Sequence, residues 1–183
     1  MSLRSIVAVL SIATTLAALT GAIAQTPPAP APTPNPPPPP SSQALPPPYG
    51  APIALDIAKQ IMAGAEAEAE KNKWPVAIVI VDSGGNIVML HRRDDAQLSA
   101  TATAEGKART ALYFKRPTKQ LDEVITSGGA GLRYLALKDF VPLEGGLPLL
   151  SDGKIVGAIG VSGVLSAQDT QIARAGADAL GKQ

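Results

Sequence analysis

The residues best equipped for chemistry lie together at His91-Arg92-Arg93-Asp94-Asp95. His91 is the only histidine of the chain. An imidazole can ligate a metal, and an arginine fork pairs well with a carboxylate. A helix that opens just after the run would add an N-terminus that favours negative charge. Lys107 and Arg109 sit on that helix and can extend the same clamp. The plainer reading of such a run is a solvated connection, the usual fate of mixed charges. The chemical reading is an anion clamp. It suits a small carboxylate, or a haem whose propionates meet the arginines while His91 serves as metal ligand.

Two glycine patterns stand beside this run. Gly145-Gly146-Leu147-Pro148 is either a turn or a pocket wall lined by backbone amides. Gly157, Gly160 and Gly163 recur at every third position. No helix starts directly after them, so they do not make a dinucleotide fingerprint. Glycines in and after a strand let another backbone, or a ligand, come close. Gly160-Val161-Ser162-Gly163-Val164 approaches a nucleophile elbow but lacks its last glycine, and His91 is the only imidazole available to Ser162. A serine hydrolase is therefore disfavoured. The chain has no cysteine and one histidine, so a structural zinc site or a two-histidine iron site cannot be built within it. No constellation compels catalysis.

The elements that must position these residues follow from periodicity. Ile53, Ile57, Ile61 and Ala65 mark a helical stripe, and the alternating Ala-Glu run 65–70 is composed of strong helix formers. Val76–Val81 reads as a buried strand, 82–86 as a turn, and Ile87–Leu90 as the returning strand of a hairpin. Leu98–Phe114 and Thr118–Ile125 read as helices. Leu147–Leu150 and Ile155–Val161 form a second hairpin about the turn 151–154. A last helix opens at Ser166 with Asp169 as capping-box partner, and its inner stripe is Ile172, Gly176, Ala179 and Leu180. Hairpins with covering helices give an α+β class with antiparallel pairing.

The N-terminal segments have other work. Residues 1–24 carry Arg4, an apolar run and Ala22-Ile23-Ala24, the marks of a cleavable secretory signal, the other reading being an uncleaved anchor just long enough to span a bilayer. Residues 25–48 are proline-rich, with Pro36 to Pro40 consecutive, and read as an extended spacer. One domain, 49–183, remains. Arg4 is the sole charge before position 50, so 15 basic and 15 acidic side chains balance in the domain. With aromatics at 3% and no basic stripe, nucleic acid is excluded as an expected partner. A periplasmic or secreted location is expected, with no stable membrane insertion once the signal is removed.

Several motifs in order resemble one family. They are Val81-Asp82-Ser83-Gly84-Gly85-Asn86, Arg92-x-Asp94-x-Ala96, Lys107-Ala108-Arg109-Thr110-Ala111, Gly145-Gly146-Leu147-Pro148, and Gly157 to Gly163 followed by Asp169. Over about residues 51–181 the chain resembles the GlcG/HbpS family of haem-binding or haem-degrading domains. The resemblance implies a profilin-like α-β-α sandwich with an antiparallel sheet of about five strands, the fifth within 132–146. It also implies homo-oligomers and, for some secreted members, haem as ligand. Arg92, Asp94, Ala96, Lys107, Thr110, Gly146, Pro148, Ser162, Gly163 and Asp169 match the shared pattern. Arg93 and Asp95 stand where the family commonly has Met and Gly, and His91 is not part of the motif.

The leading expectation is thus an exported haem binder. Its pocket would be bordered by His91, Arg92, Lys107 and Thr110, with Gly145 and Gly146 as further donors. The alternatives are a binder or enzyme for a small carboxylate such as a hydroxy acid, and an oligomeric interaction module without ligand.

Overall fold

The computed structural model describes residues 45–181. The signal read at 1–24 and the spacer as far as 44 lie outside the described residues. The elements run α1 (Leu55–Lys71), β1 (Ala77–Asp82), β2 (Ile87–Arg92), α2 (Ala100–Phe114), α3 (Thr118–Thr126), a 3-10 segment (Gly129–Ala136), β3 (Gly146–Ser151), β4 (Lys154–Ser162) and α4 (Ser166–Leu180). The sheet is antiparallel throughout, in the order β2-β1-β4-β3.

Alternation along β1 builds the layers. Ile78 and Ile80 turn to one face and pack with Ile61, Met62 and Ala65 of α1 and Ile172 of α4. Ala77, Val79 and Val81 turn to the other face and meet the alanines of α2. A strand buried on both sides shows no polar alternation, which is why Ala77–Val81 is a continuous apolar run. The result is an α-β-α sandwich, as the motifs imply. Small residues set its thickness. Gly64 of α1 and Gly176 of α4 face each other's helix, and a Cβ on either would come within 2.9 Å of the opposing backbone.

Both hairpin turns carry the chemistry expected of them. Asp82 Oδ1 accepts the Gly84 and Asn86 amides at 2.8 and 2.9 Å. Asp152 and Gly153 both have positive φ, as a tight two-residue hairpin turn requires.

Two expectations are corrected. The described residues form four strands rather than about five. From 132 until β3 begins at Gly146, the chain forms the end of the 3-10 segment and an extended strap across α2, not a further strand. Phe114, Tyr134 and Phe140 cluster with ring centroids 5.1–5.7 Å apart and draw the segment onto the end of α2. The Val141 amide donates to Thr110 Oγ1 at 2.9 Å, which fixes the strap. Near the other end of β4, Tyr49 makes one parallel bridge to Ile155, beyond the point where β1 stops. The second correction concerns α4. Its N-cap is Leu165, not Ser166, and the Leu165 amide donates to Gln168 Oε1 at 3.2 Å; Asp169 turns inward, with Oδ1 accepting the Val164 amide at 3.3 Å. Among the described residues no helix is long and apolar enough to cross a membrane.

Candidate functional site

His91 and Arg92 are neighbours on β2, so the pleat sends them to opposite faces. His91 is paired with Ile78 and faces α1. Arg92 is paired with Ala77 and faces the α2 side. Since β2 is an edge strand, both remain exposed. The His91 ring is held: Nδ1 lies 2.8 Å from Glu66 Oε1 on α1. Its Nε2 makes no hydrogen bond among the described residues. Two residues on, Arg93 pairs with Glu70. Glu66 and Glu70 are one helical turn apart, and His91 and Arg93 are two apart on a strand. The two periodicities bring each carboxylate opposite its partner.

Arg92 makes no ion pair among the described residues. It lines a hollow of about 530 Å³ at the end of β2, together with Lys73, Trp74, Pro75 and Asp95. Asp95 has φ +63°, a left-handed conformation in which a side chain is costly. Glycine there would be relieved of that cost. Asp95→Gly is expected to raise the unfolding free energy by about 0.5–1 kcal/mol, read from a denaturant curve.

Lys107 and Thr110 do not join this group. Lys107 is 2% exposed, and its Nζ donates to Asp169 Oδ2 at 2.8 Å and to the Val161 carbonyl at 2.9 Å. Two of its three N–H donors are held inside and its charge faces Asp169, so it does not join Arg92 in the anion clamp read from the sequence. Asp169 belongs to α4, on the far side of the sheet from α2. The pair crosses the sheet where β3 begins, and Gly145-Gly146 makes the opening. A Cβ on Gly145 would lie 3.0 Å from Lys107 Nζ and 2.9 Å from Asp169 Cβ. Burial pushes the Asp169 carboxyl above its ordinary value, and the Lys107 hydrogen bond and charge draw it partway back.

The other sequence candidates are also accounted for. Thr110 is buried and accepts from the Val141 amide, so it anchors the strap. The Gly146 amide donates to Thr118 Oγ1 at 2.9 Å and is not left for a ligand. Arg109 pairs with Glu105 at 2.9 Å on its own helix. Ser162 is 4% exposed and aligned with Ala77, on the face opposite His91, so no serine–histidine pair forms. His91, Arg92, Lys107 and Thr110 thus border no common cavity within one chain. Glu66 is the contributor that sequence reasoning missed. Its signal was the four-residue spacing of Glu66 and Glu70 on the face that meets β2.

Comparison with known proteins places this geometry in context. Residues 53–178 match the protein family described as "Haem degrading protein HbpS-like". Protein GlcG of Escherichia coli strain K12 is 39% identical over 110 residues, covering 60% of this chain and 81% of GlcG. The crystal structure of HbpS superposes with a TM-score of 0.67 at 31% identity, covering 73% of this chain and 93% of that one. The crystal structure of a PduOC–haem complex superposes with a TM-score of 0.65 at 31% identity, covering 70% of this chain and 95% of that one.

Proposed function

The chain belongs to the HbpS-like family, and from that premise we propose that it is an exported haem-binding protein in which His91 Nε2 would hold the iron. The observation that carries this reading is the Glu66–His91 pair. A histidine that binds a metal characteristically gives its second ring nitrogen to a carboxylate, which fixes tautomer and orientation. Glu66 stands in that position at 2.8 Å from Nδ1, and the His91 side chain is 46% exposed. The donor set therefore fits a haem iron approached from outside the edge strand. Arg92, exposed and in no ion pair among the described residues, faces away from His91 and would meet a propionate only round the edge of β2, while Arg93 is held by Glu70. The existence of a haem complex of a 31% identical relative supports the ligand class. Bound haem would supply the redox chemistry. The protein's part is to orient the imidazole through Glu66 and to neutralise a carboxylate through Arg92. Export is supported by the signal features of residues 1–24 and the proline-rich spacer behind them.

Haem titration of the full chain, followed in the Soret band, tests the proposal. Saturable one-site binding is expected, and it should be lost in His91→Ala. Glu66→Gln should keep the Soret position but weaken affinity by about tenfold or more, as loss of such an outer partner does. Undiminished binding in His91→Ala would remove His91 as ligand. Absence of saturable binding to the unaltered chain would remove haem altogether.

A further inference from the structure

The chain has three methionines, and the two within the domain differ in their surroundings. Met1 lies outside the described residues. Met62 on α1 is 1% exposed and sealed between α1 and the sheet. Met89 sits half-buried on β2, the edge strand. Among the described residues it is the thioether that a small solute can reach.

Its place ties it to His91. Met89 pairs with Ile80 and His91 with Ile78, so both side chains stand on the face that meets α1. The helix that packs on β2 is α1. Glu66 of α1 meets His91, and Glu70 meets Arg93, but both pairs are open to solvent, and such pairs contribute little. Met89 and Val88 pack against the apolar cluster that α1 shares with the sheet. That apolar contact is the firmer tie between β2 and α1, and Met89 is its member on the face of His91.

We propose that Met89 is the oxidation site of this domain, and that its sulfoxide parts β2 from α1 far enough to break the Glu66–His91 hydrogen bond. The oxidant is peroxide. A thioether lone pair attacks one peroxide oxygen, the S–O bond forms as the O–O bond breaks, and the second oxygen leaves as water. Sulfur gives up two electrons and peroxide takes them. The product is polar where the thioether was apolar, and its oxygen finds no donor among Ile61, Met62, Ile78 and Ile80. Moving outward to water relieves that cost, since no strand lies beyond β2. His91 is two residues further along the same strand and moves with it, away from Glu66 on the helix. Thiol-dependent sulfoxide reduction reverses the change. The oxidation and its effect on the imidazole stand on this geometry, whereas a resulting loss of haem affinity rests on the haem reading.

Treatment of the full chain, free of haem, with dilute hydrogen peroxide tests the inference. Met62 and Met89 fall in separate tryptic peptides, 60–71 and 74–92. Mass mapping should show the Met89 peptide gaining one oxygen at least about tenfold faster than the Met62 peptide, because access governs the reaction. His91 gives the only imidazole signals of the chain in NMR. On oxidation these should move towards their positions in Glu66→Gln, and return after treatment with methionine sulfoxide reductase and thiol. In Met89→Leu, which keeps an apolar contact without sulfur, peroxide should leave them in place. Equal oxidation of the two peptides overturns the site. Imidazole signals that stay put when Met89 is oxidised, or that move as far in Met89→Leu, overturn the link to His91. Where the untreated chain binds haem, oxidation should weaken that binding several-fold, and unchanged binding also overturns the link. Where the untreated chain binds no haem, the haem reading fails, while the mass map and the imidazole signals still decide this one.

Discussion

Asp169→Ala should lower the free energy of unfolding by about 3–5 kcal/mol, measured by denaturant titration of the full chain. The substitution leaves the Lys107 ammonium buried with the Val161 carbonyl as its remaining partner. A lone charge of this kind costs more than the pair ever contributed, because its hydration is not replaced. The double variant Lys107→Met, Asp169→Leu removes both charges and should recover most of the loss. If the double variant is as unstable as the single one, the cost lies in packing and not in charge. The pH dependence follows from the direction of the Asp169 shift. A carboxyl raised on folding binds its proton more tightly in the native state. Its contribution is then full below the unfolded value near ~3.9 and declines as pH rises through the raised value. Protonated Asp169 still offers Lys107 a carbonyl oxygen, which alanine cannot, so acid is expected to cost far less than Asp169→Ala.

Gly160→Ala carries the second large effect. Gly160 lies on β4 directly beneath α2, and a Cβ there would meet the Ala104 carbonyl oxygen and, at 2.6 Å, the Ala108 nitrogen. Backbone cannot turn aside as a side chain can, so α2 must lift from the sheet. Its alanine face then loses contact along Ala100, Ala104 and Ala108. The expected cost is about 3 kcal/mol, at the upper end of overpacking penalties. Gly153→Ala is the control. Gly153 has φ +70° with nothing within 4 Å of a built Cβ, so only conformational strain is added. That costs about 1–2 kcal/mol. Equal losses at the two positions would show that α2 does not rest on Gly160 as tightly as described.

Much of the fold is legible along the chain because its signals are local. The Asp82 turn, the Asp152-Gly153 turn and the apolar run of β1 each report a backbone state within a few residues. The alternating run around Glu66 is resolved as helix by the propensities of Ala and Glu alone. The segment 132–146 is not legible in this way. Its conformation is set by three aromatic rings contributed from positions 114, 134 and 140 and by one hydroxyl on α2, which are contacts without any period.

The candidate site divides along the same line. Sequence by itself determined that His91 lies at the end of a strand with two arginines after it, and which family pattern the motifs follow. It could not separate a charge that meets solvent from one that meets another charge. Lys107 and Asp169 are 62 residues apart and sit on opposite layers, and only the tertiary structure brings them together through Gly145-Gly146. The pleat likewise decided that His91 and Arg92 part company, and helix packing decided that Glu66 stands behind the imidazole. Local patterns record backbone preference, whereas the state of an ionisable group depends on burial and on partners that arrive from other elements. Those are properties of the assembled layers alone.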